Sequence, residues 1–131
     1  MRVMVDTNVI ISAMLKEGSI PDVVLTDVFE NHELILCDYI ILECYTVAKR
    51  RFPQQIQVLD KLFANLRYEL VSAPKLGEIK VRDNKDQPIL NASIEYNVDV
   101  LITGDKHFLE LDIITPQICT PSEYRDIYIG I

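Results

Sequence analysis

The sequence has little glycine and no long apolar run, and each shortage excludes a class of protein. Only 4 of its 131 residues are glycine and none follows the first predicted strand, whereas a dinucleotide-binding fold needs a glycine-rich first turn. No apolar stretch approaches the ~20 residues of a membrane-spanning helix. Asp6 and Asn8 interrupt the opening MRVMVDTNVIISAML, which argues against a secretory or transit peptide. We therefore expect a cytoplasmic protein that makes no membrane contact.

Cysteine is also scarce. The 3 cysteines are an odd number, and the sequence contains no C-x-x-C pair. Cys37 and Cys44 lie among apolar residues. This pattern predicts buried, reduced thiols rather than a zinc site.

Basic residues are outnumbered by acidic ones. The chain has 13 Lys and Arg against 20 Asp and Glu, which gives a net charge of −7. A protein that coats nucleic acid needs clustered Lys and Arg, so that role is disfavoured. A nuclease is not excluded, because bound metal can neutralise its carboxylates locally. The charge would also suit a basic protein partner.

The sequence does contain the pattern of an α/β domain, which we expect to span residues 1–131 as one unit. Short apolar runs predict strands over 2–5, 34–37, 100–103 and 112–115, with 68–72 as a further candidate. The intervening segments have helical spacing, and Thr7 or Asn8 is the expected cap of the first helix. Strands that are apolar throughout and alternate with helices indicate a parallel sheet covered on both faces.

Acidic side chains stand at the boundaries of these predicted elements. Asp6 directly follows the first strand. Asp105 lies in ITGDKHF, two residues past the strand over 100–103, and Gly104 would permit an unusual backbone conformation there. Glu43 lies in the apolar run YIILECYTV, and Asp86 precedes the helix start Gln87-Pro88. In parallel sheets, ligands bind beyond the carboxyl ends of the strands. Each acid also has a purely structural reading, as a helix cap, a turn residue or a solvent-facing side chain.

If these acids converge, their mutual repulsion raises their pKa values unless a divalent cation relieves it. Oxygen ligands alone favour Mg²⁺ or Mn²⁺ over Zn²⁺. The basic residues with a candidate role in contacting phosphate are Arg50, Arg51, Lys85, Lys106 and His107. Favourable charge at a helix C-terminus is the alternative role of Arg50 and Arg51. His107 could serve as a general base or as a surface residue.

The motifs resemble the PIN-domain family of metal-dependent ribonucleases over essentially the whole chain. The matching segments, in order, are VMVDTNVIISAML, LCDYIILECYTV, RDNKDQPILNASIEYNVDVLITGDKHFLEL and ITPQICTPSEY. The resemblance implies a three-layer α/β/α sandwich around a mostly parallel sheet. It also implies that Mg²⁺ or Mn²⁺ is held by four acids, namely Asp6, Glu43, Asp86 and Asp105.

The resemblance extends to the residues beside these acids. Thr7 and Asn8 match polar residues that steady the first acid or a metal-bound water. Asp86 is preferred as the third acid because of its spacing to Ile89 and Ala92, and Asp83 is its backup.

The implied function is hydrolysis of single-stranded RNA by a metal-activated water, with 5′-phosphate ends as products. PIN proteins of this kind are often toxins of toxin–antitoxin pairs and form homodimers, so an antitoxin partner and a dimer are expected. A phosphatase of the haloacid dehalogenase type needs an acid at position 8, where this chain has Asn8. A PIN-like module that binds RNA or protein without cutting stays open as the alternative.

Overall fold

The computed structural model describes residues 1–74 and 86–130. Within these ranges the strands are β1 (Arg2–Val5), β2 (Glu33–Cys37), β3 (Glu69–Val71), β4 (Val100–Ile102) and β5 (Gln117–Cys119). The α-helices are α1 (Thr7–Leu15), α2 (Ile20–Asn31), α3 (Asp38–Arg51), α4 (Ile56–Asn65), α5 (Gln87–Glu95), α6 (Lys106–Leu109) and α7 (Pro121–Tyr124). A 3₁₀ turn covers Pro53–Gln55, and a π-helical turn covers Arg125–Ile129.

The strands form one parallel sheet in the order β3-β2-β1-β4-β5. Strand β1 is central, and its Met4 is in register with Ile35 of β2 and Leu101 of β4. Strands β2 and β3 follow β1 in sequence and lie on one side of it, whereas β4 and β5 lie on its other side. The order therefore reverses between β1 and β4, and the carboxyl ends of these strands open a crevice suited to ligand binding. The expected α/β/α sandwich with a parallel sheet is confirmed.

The core lies on both faces of this sheet. Consecutive β1 residues Val3, Met4 and Val5 are all fully buried, as expected for a strand covered by helices on each side. Burying a side chain such as Met4 contributes roughly 1.5–3 kcal/mol to stability. All the cysteines are buried free thiols, which confirms the prediction.

Helix α3 begins at Asp38 and ends before Pro53, which cannot continue a helix. Asp38 is the first helical residue rather than the cap, and its Oδ1 accepts hydrogen bonds from Tyr39 N at 2.8 Å and Ala73 N at 3.0 Å. The exposed Arg50 and Arg51 lie in the last turn, where positive charge is favourable. Across residues 1–74 and 86–130, no helix combines the length and apolar character that crossing a bilayer requires.

One predicted strand is wrong. Residues 112–115 are irregular, with Ile114 93% exposed, and the strand lies instead at Gln117–Cys119, where Ile118 is in register with Leu101. The composition of residues 112–115 is strand-like, but Pro116 cannot donate to a sheet and so favours an irregular segment before the strand. Leu15 and Ile94 are 43% and 41% exposed near the ends of their helices.

Candidate metal-binding site

A small cavity at the carboxyl edge of the sheet brings together four acidic side chains. Its volume is about 130 Å³, and its lining residues are Asp6, Thr7, Asn8, Glu43, Val47, Asp86 and Asp105. The acids come from the end of β1, the middle of α3, and the starts of α5 and α6. Distant parts of the chain therefore place their carboxylates in one cavity, as the sequence analysis anticipated.

Asp6 is buried and held by hydrogen bonds to both carboxylate oxygens. Its Oδ1 accepts from the backbone N–H of Thr7 at 2.7 Å, and its Oδ2 accepts from the hydroxyl of Thr103 at 2.7 Å. Asp6 itself is the N-cap of α1, so the expectation that Thr7 or Asn8 caps this helix is wrong. The helix begins one residue earlier than expected because the Asp6 side chain already satisfies its first amide.

The surroundings of Asp6 disfavour its negative charge. Burial raises the pKa of Asp6 from 3.8 to about 6, the hydrogen bonds from Thr103 and Thr7 oppose this rise, and the nearby charges of Glu43 and Asp105 add to it. Desolvation and like charge both penalise an ionised carboxylate. A bound cation would reverse that penalty, so the environment of Asp6 suits a metal ligand.

Glu43 is positioned by the side chain of Thr7. The Thr7 hydroxyl donates to Glu43 Oε1 at 2.5 Å, which joins the start of α1 to the middle of α3. Thr7 is buried and Glu43 is half-buried. Thr7 thus supports two acids, Asp6 through its backbone and Glu43 through its hydroxyl. Asn8 is exposed at the rim of the cavity.

Thr103 is a site residue that the sequence analysis missed. It is fully buried one residue beyond β4, and its hydroxyl donates to Asp6 while its oxygen accepts from Asp105 N at 3.0 Å. A threonine that ends the apolar run VLIT at the carboxyl edge was the available signal. Gly104 does not adopt the left-handed φ of Gly18 and Gly130, so the conformational freedom that glycine permits is not used here, and Thr103 orients Asp105.

His107, in the first turn of α6, lies close to the carboxylates of Asp86 and Asp105. His107 Nδ1 lies 3.4 Å from Asp105 Oδ1 and 3.9 Å from Asp86 Oδ2. Ligand atoms of Asp86, Asp105 and His107 all lie within 4.8 Å of one another. Asp105 caps α6 by accepting from His107 N at 2.8 Å, whereas the Asp86 side chain does not cap α5. Helix capping therefore accounts for one role of Asp105 and is not the role of the Asp86 side chain.

The remaining predicted residues lie around this cavity or outside the described ranges. Arg50 and Glu43 line a neighbouring cavity of about 210 Å³. The guanidinium of Arg51 lies 5.6 Å from the ring of Phe52, and Lys106 is exposed on α6. The backup acid Asp83 and the candidate phosphate contact Lys85 lie outside the described residues.

The donor set fits a divalent cation. Several carboxylates at a partly buried site provide the oxygen ligands that Mg²⁺ and Mn²⁺ prefer. Burial raises the pKa of Asp6 more than its hydrogen bonds from Thr103 and Thr7 lower it, so a cation beside this carboxylate would favour its charged form. The ligand atoms of Asp86, Asp105 and His107 are close enough to share one cation, and Asp6 and Glu43 line the same cavity as Asp86 and Asp105.

Comparisons with known proteins agree with this architecture. A relative, uncharacterized protein MJ1680 of Methanocaldococcus jannaschii, is 26% identical over 138 residues, covering 94% of this chain and 88% of that protein. The solved structure of VapBC2 from Rickettsia felis, bound to a DNA fragment from their promoter, contains a chain that matches with a TM-score of 0.65 and 21% identity. That match covers 91% of this chain and 97% of the other, and it shows a shared fold. A family model for the PIN domain matches residues 2–107, a range that includes all four acids. The chain belongs to the PIN domain family.

Proposed function

We propose that this protein is a metal-dependent endoribonuclease that hydrolyses phosphodiester bonds in single-stranded RNA. The observation that carries the proposal is the convergence of Asp6, Glu43, Asp86 and Asp105 on one small cavity. Membership of the PIN domain family supports a nuclease over other metal-dependent hydrolases. The metal is Mg²⁺ or Mn²⁺ in this proposal.

In the proposed mechanism, the protein positions the carboxylates that would bind the cation. When bound, a divalent cation supplies Lewis acidity that activates water and neutralises charge on the phosphate. The four acids would hold the cation, while the hydroxyls of Thr7 and Thr103 fix the carboxylates of Glu43 and Asp6. Water attacks phosphorus in line and the P–O3′ bond breaks. The attacking water loses a proton and the leaving 3′ oxygen gains one, so the products carry a 5′-phosphate and a 3′-hydroxyl.

Two cavities beside the acids support the proposal that the substrate is single-stranded. The cavity that holds Arg50 and Glu43 shares Tyr39 and Leu42 with a larger cavity of about 680 Å³ between the starts of α3 and α5. Arg50 can meet a phosphate, and Tyr39 offers an aromatic ring on which a base can stack. The connected cavities suit an extended strand with unpaired bases better than a rigid duplex.

We further propose that the protein is the toxin of a toxin–antitoxin pair. The motifs resemble toxins of this type, and the fold matches a chain of the VapBC2 complex. The net charge of −7 would suit a basic antitoxin. A homodimer stays a prediction from the family resemblance, and a cytoplasmic location stays a prediction from the sequence.

The test compares wild-type protein, Asp6→Asn and the control Asp112→Asn, which changes an exposed acid on the irregular segment before β5. Each is incubated with 5′-labelled single-stranded RNA in Mn²⁺, Mg²⁺ or EDTA. We expect cleavage with 5′-phosphate ends for wild type and the control, and loss by about two orders of magnitude or more in Asp6→Asn. Cleavage that persists in EDTA would contradict the proposal.

The alternative, a non-catalytic module, predicts a different outcome from the same proteins. It would bind RNA or a protein partner without cutting under any metal condition. Alanine at the acids would then leave RNA binding intact and change no cleavage rate. Binding measured by filter retention in parallel with cleavage separates the two functions.

A further inference from the structure

We propose that His107 is a direct ligand of the bound cation and that its nitrogen makes the site select Mn²⁺ and Co²⁺ over Mg²⁺. This inference rests on the proposed function in so far as it requires a divalent cation at the acids. It goes further by assigning a mixed nitrogen and oxygen donor set where oxygen ligands alone were expected.

The spacing of the donor atoms suits one shared ion. Ligands about 2.1 Å from a metal in octahedral geometry lie roughly 3.0 Å apart when adjacent and roughly 4.2 Å apart when opposite. The separations from His107 Nδ1, 3.4 Å to Asp105 Oδ1 and 3.9 Å to Asp86 Oδ2, fall between these limits. Only small side-chain adjustments are needed to place these atoms around one cation.

The protein also holds His107 firmly in place. Its backbone N–H donates to Asp105 Oδ1 at 2.8 Å, and the next residue, Phe108, is fully buried in the core. The side chains of His107, Asp86 and Asp105 are only 24%, 9% and 20% exposed. A surface histidine that contacts RNA would not need this partly buried position against two carboxylates.

The consequence for selectivity follows from ligand chemistry. Mg²⁺ binds oxygen and keeps several of its waters, so an imidazole adds little to its affinity. Transition ions bind imidazole well, and affinity for nitrogen-containing sites rises from Mn²⁺ towards Co²⁺ and Ni²⁺. Removing His107 should therefore weaken Co²⁺ and Mn²⁺ binding much more than Mg²⁺ binding.

In a second interpretation, His107 is a positioning residue whose ring contacts the carboxylates of Asp86 and Asp105 and keeps them in place, without contacting the metal. Removing it would then misplace the two acids and weaken every divalent cation to a similar extent. The two readings differ in the pattern across metals and in whether nitrogen is bonded to the ion.

The test measures metal binding directly. Calorimetric titration of metal-free wild type, His107→Ala and the control His32→Ala with MgCl₂, MnCl₂ and CoCl₂ gives each affinity. His32 is the only other histidine and is the C-cap of α2, outside the site. We expect His107→Ala to lose about tenfold or more for Mn²⁺ and Co²⁺, and less than about threefold for Mg²⁺. Equal losses for all three metals would overturn the inference.

A second measurement stays decisive even if His107→Ala folds poorly. Pulsed electron paramagnetic resonance of Mn²⁺ bound to wild type and to His32→Ala, each labelled with ¹⁵N-histidine, should show coupling to a directly bonded nitrogen. Absence of that coupling would refute the inference while leaving the nuclease proposal standing, provided RNA is still cleaved. Failure of wild type to bind any of the metals would refute both.

Discussion

The hydroxyl of Thr103 donates a hydrogen bond to Asp6 Oδ2 at 2.7 Å across 97 residues of sequence. The same oxygen accepts from the amide of Asp105, so one buried side chain joins two acids of the site. This link connects the carboxyl ends of the neighbouring strands β1 and β4.

Thr103→Val keeps the shape of this side chain and removes its hydrogen bonds. A buried carboxylate oxygen and a partly buried amide then lose their partner, which should lower the free energy of unfolding by about 1–3 kcal/mol. We also expect weaker metal binding, because Asp6 and Asp105 lose their common support. Denaturant unfolding and metal titration measure the two effects.

Thr103→Ser is the matched control because it retains the hydroxyl. It should preserve metal affinity, with only a small loss of stability from the missing methyl group. If the valine and serine variants bound metal equally well, the hydroxyl would not be what positions these acids.

Asp6 should make the metal-free protein less stable as pH rises. Its pKa is raised from 3.8 to about 6 in the folded state, so the folded protein binds this proton more tightly than the unfolded chain. The stabilising protonation is fully present below pH 3.8 and is lost as pH rises through about 6. The full difference corresponds to about 3 kcal/mol.

The variant Asp6→Asn removes this titration. The excess stability of Asp6→Asn over wild type should grow between pH 3.8 and about 6 and stay constant above that range. Urea unfolding of both proteins in EDTA at several pH values measures it. A constant difference across the whole range would show that Asp6 titrates normally.

Bound metal should stabilise the fold through the acids. A cation that binds only the folded state at 100 times its Kd adds about 2.7 kcal/mol, which raises the melting temperature. Asp86→Asn should remove most of this increase, because Asp86 lies in the cavity and among the clustered ligand atoms. Thermal unfolding with and without MnCl₂ is the measurement, and Asp112→Asn, at an exposed position, should keep the full increase.

A hydrogen bond between two residues that do not line the cavity tests whether stability and metal binding are separable. Tyr124 is fully buried on α7, and its hydroxyl donates to Asp27 Oδ2 on α2 at 2.7 Å. Tyr124→Phe should reduce the free energy of unfolding by about 1–2 kcal/mol and leave metal affinity unchanged. A large loss of metal binding in this variant would mean that the site depends on the C-terminal helix.

The parallel sheet and the positions of Asp6 and Asp105 could be predicted from local pattern, whereas Glu43 and Asp86 were assigned through the resemblance to the PIN-domain family. Short apolar runs between helices identify buried parallel strands, and an acid directly after a strand lies at the ligand-binding edge. The strand at Gln117–Cys119 was missed because its composition is less strand-like than the exposed run before it.

The hydrogen bonds within the site could not be predicted from one sequence. Whether Thr103 meets Asp6 depends on the register between β1 and β4, which sequence spacing does not reveal. The approach of His107 to Asp86 likewise depends on how α5 and α6 start at the same edge.

The order of the strands has a consequence for protein synthesis. Asp6, Glu43 and Asp86 precede β4 in the chain, but Thr103 and Asp105 follow it, and β4 cannot pair with β1 until residues 100–102 have been synthesised. A nascent chain on the ribosome that lacks β4 therefore has three of the four acids but neither Asp105 nor a closed cavity. Whatever reaction the assembled cavity performs can begin only after β4 and the start of α6 have been made.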